Sequence, residues 1–237
     1  MHERTLGFAT ALILVACIAL TGAGSAYADT ITLNSTSFGW WDSNGSHTAA
    51  NTNYGTGDDS TNIDHRSFFV FNLAGLSGTI ESASLNIFNP SYSSPDPTET
   101  LGIFDVSTSI ATLIANGAGQ IGIYNDLGSG TLFGSTSVSA ANNGANVSIL
   151  LSPAALAALQ SGFGGSFAFG GSLTTLSAPG VTEGVFTFST ALTGTRQLAL
   201  NTVPTPVPEP TSWLLLASGL VAIAVAPRRR LRDDSRH

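Results

Sequence analysis

The hydrophobic pattern of this chain is short-period and frequently interrupted. Residues 67–73 (Ser-Phe-Phe-Val-Phe-Asn-Leu) form a continuous apolar run bounded by polar turns, the pattern of a strand buried on both faces. Residues 83–88 alternate, with Leu85 and Ile87 on one face, as a half-buried strand does. Further strands are predicted at 31–33, 101–106, 121–127, 146–151, 166–169, 185–189 and 197–200, separated by Gly-, Asn- and Ser-rich breaks. One segment has helical punctuation. Ser152 stands as N-cap, Pro153 occupies the first helical position, residues 154–160 follow, and Gly162 stops them. The expectation is an all-β fold over residues 29–203, an antiparallel β-sandwich of jelly-roll type with one short helix.

The two ends follow different patterns. Residues 11–20 are an apolar core behind a weakly basic start, and Ala26-Tyr27-Ala28 is a small-x-small cleavage site. Residues 1–28 therefore read as a signal peptide for signal peptidase, with Ala26 and Ala28 as its recognition residues and Asp29 as the new N-terminus. A lipobox ending at Cys17 is the rival, but Ile18, Ala19 and Leu20 prolong the apolar core past that cysteine. Residues 204–237 begin with a proline-rich connector, Pro204-Thr205-Pro206-Val207-Pro208-Glu209-Pro210, which no sheet can absorb. The apolar run 211–226 follows, about 24 Å long as a helix and just short of a usual membrane span. Arg228, Arg229 and Arg230 close it and pin that end to the cytoplasm. A leader and a basic stop together place the body outside the cytoplasmic membrane.

The tail resembles the PEP-CTERM sorting signal of exported Gram-negative proteins through Pro208-Glu209-Pro210, the apolar segment near Trp213 and the basic cluster 228–232. The resemblance implies recognition and removal by exosortase, a membrane-embedded cysteine protease, in the manner of a spacer and hydrophobic tail that are read and discarded. Without it, the same residues describe a single-pass anchor on a proline-rich stalk.

Charge narrows the function classes. The chain has no lysine, and residues 29–206 carry eleven acids against Arg66 and Arg196, about −9. Nucleic acid and anionic membrane surfaces are poor partners for such a body. Its histidines are His47 and His65, and no G-x-S-x-G elbow surrounds any serine, so no catalytic group is expected. The polar cluster Asp64-His65-Arg66 has two readings, a small catalytic or metal group and a solvated strand entry with Arg66 salt-bridged to Asp64 or Asp59, and the second is the one expected. Asp58, Asp59 and Asp64, beside the carbonyl-rich residues 55–57, are candidate oxygen ligands for a structural calcium. No His/Cys set for zinc exists.

For glycans the candidates are aromatics able to stack on sugar faces: Trp40, Trp41, Tyr54 and Tyr92. Adjacent tryptophans in a strand point to opposite faces. Two readings are open: one ring is exposed for binding, or one plugs the core while the other covers a sheet edge. The proline-dense acidic loop 89–100 is a second place where binding would sit on a rigid sandwich.

Residues 53–57 (Asn-Tyr-Gly-Thr-Gly), the Arg-led run 66–73 and residues 78–85 resemble the start of DNRLRE-type β-sandwich domains, relatives of carbohydrate-binding modules. That likeness implies a jelly roll and glycan binding. Together these readings predict an exported, non-enzymatic surface or matrix protein sorted by exosortase and associated with exopolysaccharide or biofilm. The alternatives are a secreted polysaccharide-acting enzyme and an uncleaved membrane-anchored surface protein.

Overall fold

The computed structural model describes residues 29–177, 180–186 and 194–203. The leader (1–28), with Ala26 and Ala28, and the tail from residue 204, with the apolar run 211–226, lie outside the described residues. So do positions 187–189 of the strand expected at 185–189.

Among the described residues eleven strands run in order: β1 (Asp29–Asn34), β2 (Ser37–Asp42), β3 (Thr56–Asp58), β4 (Asp64–Asn72), β5 (Thr79–Asn89), β6 (Glu99–Asp105), β7 (Leu132–Val138), β8 (Ala145–Leu150), β9 (Ser166–Leu173), β10 (Glu183–Val185) and β11 (Arg196–Val203). They form a four-stranded sheet, β1-β11-β5-β8, and a seven-stranded sheet, β10-β3-β4-β9-β6-β7 with β2 on β4. Each assigned strand pair is antiparallel. The chain changes sheet between β1 and β2, β4 and β5, β5 and β6, β7 and β8, β8 and β9, and β10 and β11. The two sheets share one apolar core, in which Phe69, Phe71 and Phe169 of one meet Leu85, Ile87 and Leu198 of the other. This is the expected β-sandwich.

The helices correct the expectation of one. The punctuated segment is α3 (Pro153–Ser161), with Ser152 as N-cap accepting from Ala155 N–H and Gly162 as C-cap. It buries Ala155 and Leu159, and its Gln160 side chain accepts from Ile80 N–H and donates to Gly78 O. Two short helices, α1 (Ile110–Leu113) and α2 (Ile121–Asp126), precede it. Residues 121–127, expected as a strand, are therefore mostly α2. The reason is spacing: Ile123, Tyr124 and Leu127 are buried while Ile121 is exposed, which is one helical face and not an alternation.

These two helices explain why β4 is apolar on both faces. Phe69 and Phe71 point into the sandwich, whereas Phe68 and Val70 join a second core with Trp41, Leu113, Ile123, Tyr124 and Leu127. The outward face of the four-stranded sheet has no such cover among the described residues, and it is polar. Its cross-strand rows include Thr30 with Asn201 and Ser82, and Asn34 with Gln197, Asn86 and Ser148.

Candidate functional site

The tryptophan pair sits on β2, whose register against β4 sets Trp40 opposite Ser67 and Trp41 opposite Arg66. Trp41 enters the second core, where it is fully buried. Its Nε1–H donates to Leu113 O at 2.9 Å and its ring lies 5.2 Å from that of His47. Gly117 lies against the same ring, and a Cβ there would come within 2.3 Å of it. Trp40 takes the opposite face, half-buried, with His65 edge-on at 4.3 Å. Its Nε1–H is buried with no hydrogen-bond partner among the described residues.

Tyr54 is also fully buried, between Phe38, Phe69 and Phe186, and its hydroxyl donates to Phe88 O. Burial pushes that hydroxyl above its ordinary pKa, with Arg196 opposing. Tyr92 is half-buried and donates to Asp96 O. The four candidate glycan aromatics thus form no platform. Trp41 and Tyr54 are corrected to core residues because their large apolar areas fill the space under α1 and α2 and between the sheets.

The polar cluster also divides. Strand alternation sends Asp64 and Arg66 toward α2 and His65 toward Trp40. Arg66 does not pair with the aspartates as expected. It donates to the carbonyls of Tyr124 and Asn125, and its guanidinium lies 4.3 Å from the Tyr124 ring centroid. The Tyr124 hydroxyl donates to Asp64 and is pushed up to about 12 by burial, the Arg66 charge opposing.

The proposed calcium ligands are not gathered into a cage. Asp58 is buried and accepts from the N–H groups of Ser60 and Gly180, Asp59 accepts from Thr61, and Asp64 accepts from Tyr124. Each carboxylate is committed to its own turn or to a neighbouring side chain, which corrects that assignment. A different trio meets instead. Among the described residues, Asp96, Glu99 and Glu183 each place a carboxylate oxygen within 4.8 Å of the others. Glu99 is 0 % and Glu183 1 % exposed.

Long-range pairing makes this meeting. Ser93 and Gly184 exchange two backbone hydrogen bonds, and β10 pairs with β3 through Gly57. Gly57 has φ +123° and a Cβ would sit 1.9 Å from Glu183 O, so the contact needs glycine. Ser94 and Thr175 donate to Glu99, and Ser177 donates to Glu183 and Asp96. The donor set is all oxygen, the type that hard cations take. The described arginines are engaged elsewhere, Arg66 at Tyr124 and Arg196 over the Phe38 ring at 3.8 Å. The loop 89–100 is tied down by these contacts and by Tyr92 N–H to Asn143.

The titratable groups predict two pH windows. Burial lowers the pKa of His47, with its Trp40 O hydrogen bond opposing, and burial lowers that of His65, with Asp59 opposing. Both histidines are folded neutral, so their contribution is complete above an unfolded pKa of about 6.5. Below it, stability falls by up to about 1.4 kcal/mol per pH unit for each. Asp126 behaves oppositely to its burial, which alone would raise it. Hydrogen bonds from the N–H and hydroxyl groups of Thr108 and Ser107 lower its pKa. Its contribution is present above an unfolded pKa of about 3.9 and is lost as pH falls through the lower folded value. The urea midpoint should be flat from pH 7.5 to 8.5, fall between 6.5 and 5, and fall again below 4. A midpoint constant from pH 8 to 5 would contradict neutral, buried histidines.

Known proteins bear on the tail. Residues 206–230 match the PEP-CTERM protein-sorting motif. This chain carries a PEP-CTERM sorting tail. The motif contains Val207, Pro208, Glu209, Pro210, Arg228, Arg229 and Arg230. A PEP-CTERM tail marks an exported protein, transiently anchored in the membrane and processed by an exosortase. No curated protein matches the chain.

Proposed function

We propose that this PEP-CTERM protein is a non-enzymatic component of the cell surface or extracellular matrix that contacts exopolysaccharide once its tail has been removed. The observation that carries the reading is the sorting motif at 206–230 appended to a β body with its own core. Exosortase removes the tail after the leader has gone to signal peptidase. The body then remains outside the cytoplasmic membrane, in the envelope or beyond the cell. Its polar groups support a role in contact rather than in chemistry. Asp64, His65 and Arg66 serve different faces of one strand, and the histidines are buried against aromatic rings.

The test is electrophoresis of the mature protein in native gels containing polysaccharide from the host, with an assay for reducing ends. Retardation without release is expected. Release of reducing ends would move the protein to the polysaccharide-acting enzymes. Absence of both would remove the exopolysaccharide contact.

A further inference from the structure

We propose that the outward face of the four-stranded sheet binds a neutral polysaccharide, held as an extended chain across the strands. The inference rests on the exopolysaccharide reading above and assigns it a surface.

Outward positions of the sheet carry Thr, Ser, Asn and Gln in cross-strand rows, broken by Ala199, Phe88 and Leu150. No charged side chain stands in these rows, although the body around them holds eleven acids; Asp29 and Glu81 lie at one end. Folding alone does not favour this composition. Asparagine is depleted in strands, and exposed sheets and edges are ordinarily kept soluble and unpaired by lysine and glutamate.

The side chains are also ordered before any ligand arrives. Thr30 Oγ1 donates to Asn201 Oδ1 at 2.8 Å, and Asn201 Nδ2 donates to Ser82 Oγ at 2.8 Å. Gln197 Nε2 donates to Asn34 Oδ1 at 3.0 Å. Each amide retains a second N–H and a carbonyl lone pair for an outside partner. Ordering in advance lowers the entropy cost of binding.

Neighbouring strands are about 4.8 Å apart, comparable to the length of one pyranose unit. A sugar chain crossing the strands therefore meets a new donor–acceptor group at each ring. Leu150, 72 % exposed at the β8 edge, and half-buried Phe88 offer apolar ground for the C–H faces of the sugars. The charge balance selects the polymer. An uncharged face on a body of about −9 repels a polyanion and costs a neutral chain nothing.

The experiment is a depletion assay with the mature protein on microcrystalline cellulose, curdlan and the neutral fraction of the host exopolysaccharide, with alginate as the anionic polymer. Retention on at least one neutral polymer is expected, little changed between 50 and 500 mM NaCl, with none on alginate. The variant Gln197→Glu/Ser148→Asp should lose at least fivefold in retention at an unchanged melting temperature. Ser137→Glu, on β7 of the other sheet, should retain wild-type binding.

Three results overturn the proposal in different ways. If the double variant still binds, the face is wrong while the exopolysaccharide reading stands. If the wild-type protein binds no polymer, both fall. A concentration-dependent dimer lost in the double variant would assign the face to a second copy of the chain instead, and would also overturn it.

Discussion

Replacing Trp41 with alanine is expected to destabilise the body by about 3–5 kcal/mol, lowering its melting temperature by roughly 10 °C. Trp41 is the largest side chain of the second core and is fully buried there. It joins β2 to α1 through its hydrogen bond to Leu113 O, and its ring stacks obliquely on His47. Removing it opens a cavity under α1 and α2 and strips a buried carbonyl of its donor, two costs that add. Trp40 is the internal control. It is half-buried and its Nε1–H has no partner among the described residues, so Trp40→Ala should cost clearly less. Calorimetry of both variants in the mature protein checks the order. A Trp40→Ala loss equal to or larger than that of Trp41→Ala would contradict the placement of the pair.

Replacing Pro208, Glu209 and Pro210 together with alanine should abolish removal of the tail, from essentially complete processing to none. These residues lie within the matched sorting motif, at the outer edge of the apolar run. The uncut chain has no route of escape. Its apolar run favours the bilayer, and drawing each of the three adjacent arginines Arg228, Arg229 and Arg230 through the membrane centre costs on the order of 3 kcal/mol. The full-length chain should therefore accumulate in the membrane fraction, visible by immunoblot as a larger species. Processing unchanged from wild type would separate the tripeptide from exosortase recognition.

What the sequence revealed and what it concealed follow from the range of the interactions. The strand at 67–73 and the helix bounded by Ser152, Pro153 and Gly162 are local signals, because period, caps and breakers act within a few residues. The double-sided character of β4 was also legible, but what covered its second face was not. That cover is built from α1 and α2, four and six residues long, and the Gly122 in α2 lowers its helix propensity. With the outer cover unseen, Trp41 could be taken for an exposed aromatic. Its true position depends on β2 pairing with β4 and on Leu113, distant in sequence.

The acids show the same limit. Asp58, Asp59 and Asp64 are close in sequence, yet each is satisfied separately. Glu99 and Glu183 are far apart in sequence and are joined by β10 and the Ser93–Gly184 bridge. The one local signal for that meeting was the dense acidic, proline-rich segment before Glu99. The polar rows of the four-stranded sheet were hidden for a related reason. Asn34, Gln197, Asn86 and Ser148 lie on four strands, and only their register sets them side by side.

The most direct measurement is the intact mass of the protein recovered from its host, taken separately for the membrane and the extracellular fractions. A sorted and processed protein predicts a species outside the cell that begins at Asp29 and ends near residues 208–210, with residues 228–237 gone. A chain that retains those residues, found in the membrane fraction alone, would contradict sorting by removal of the tail and leave a permanently anchored surface protein.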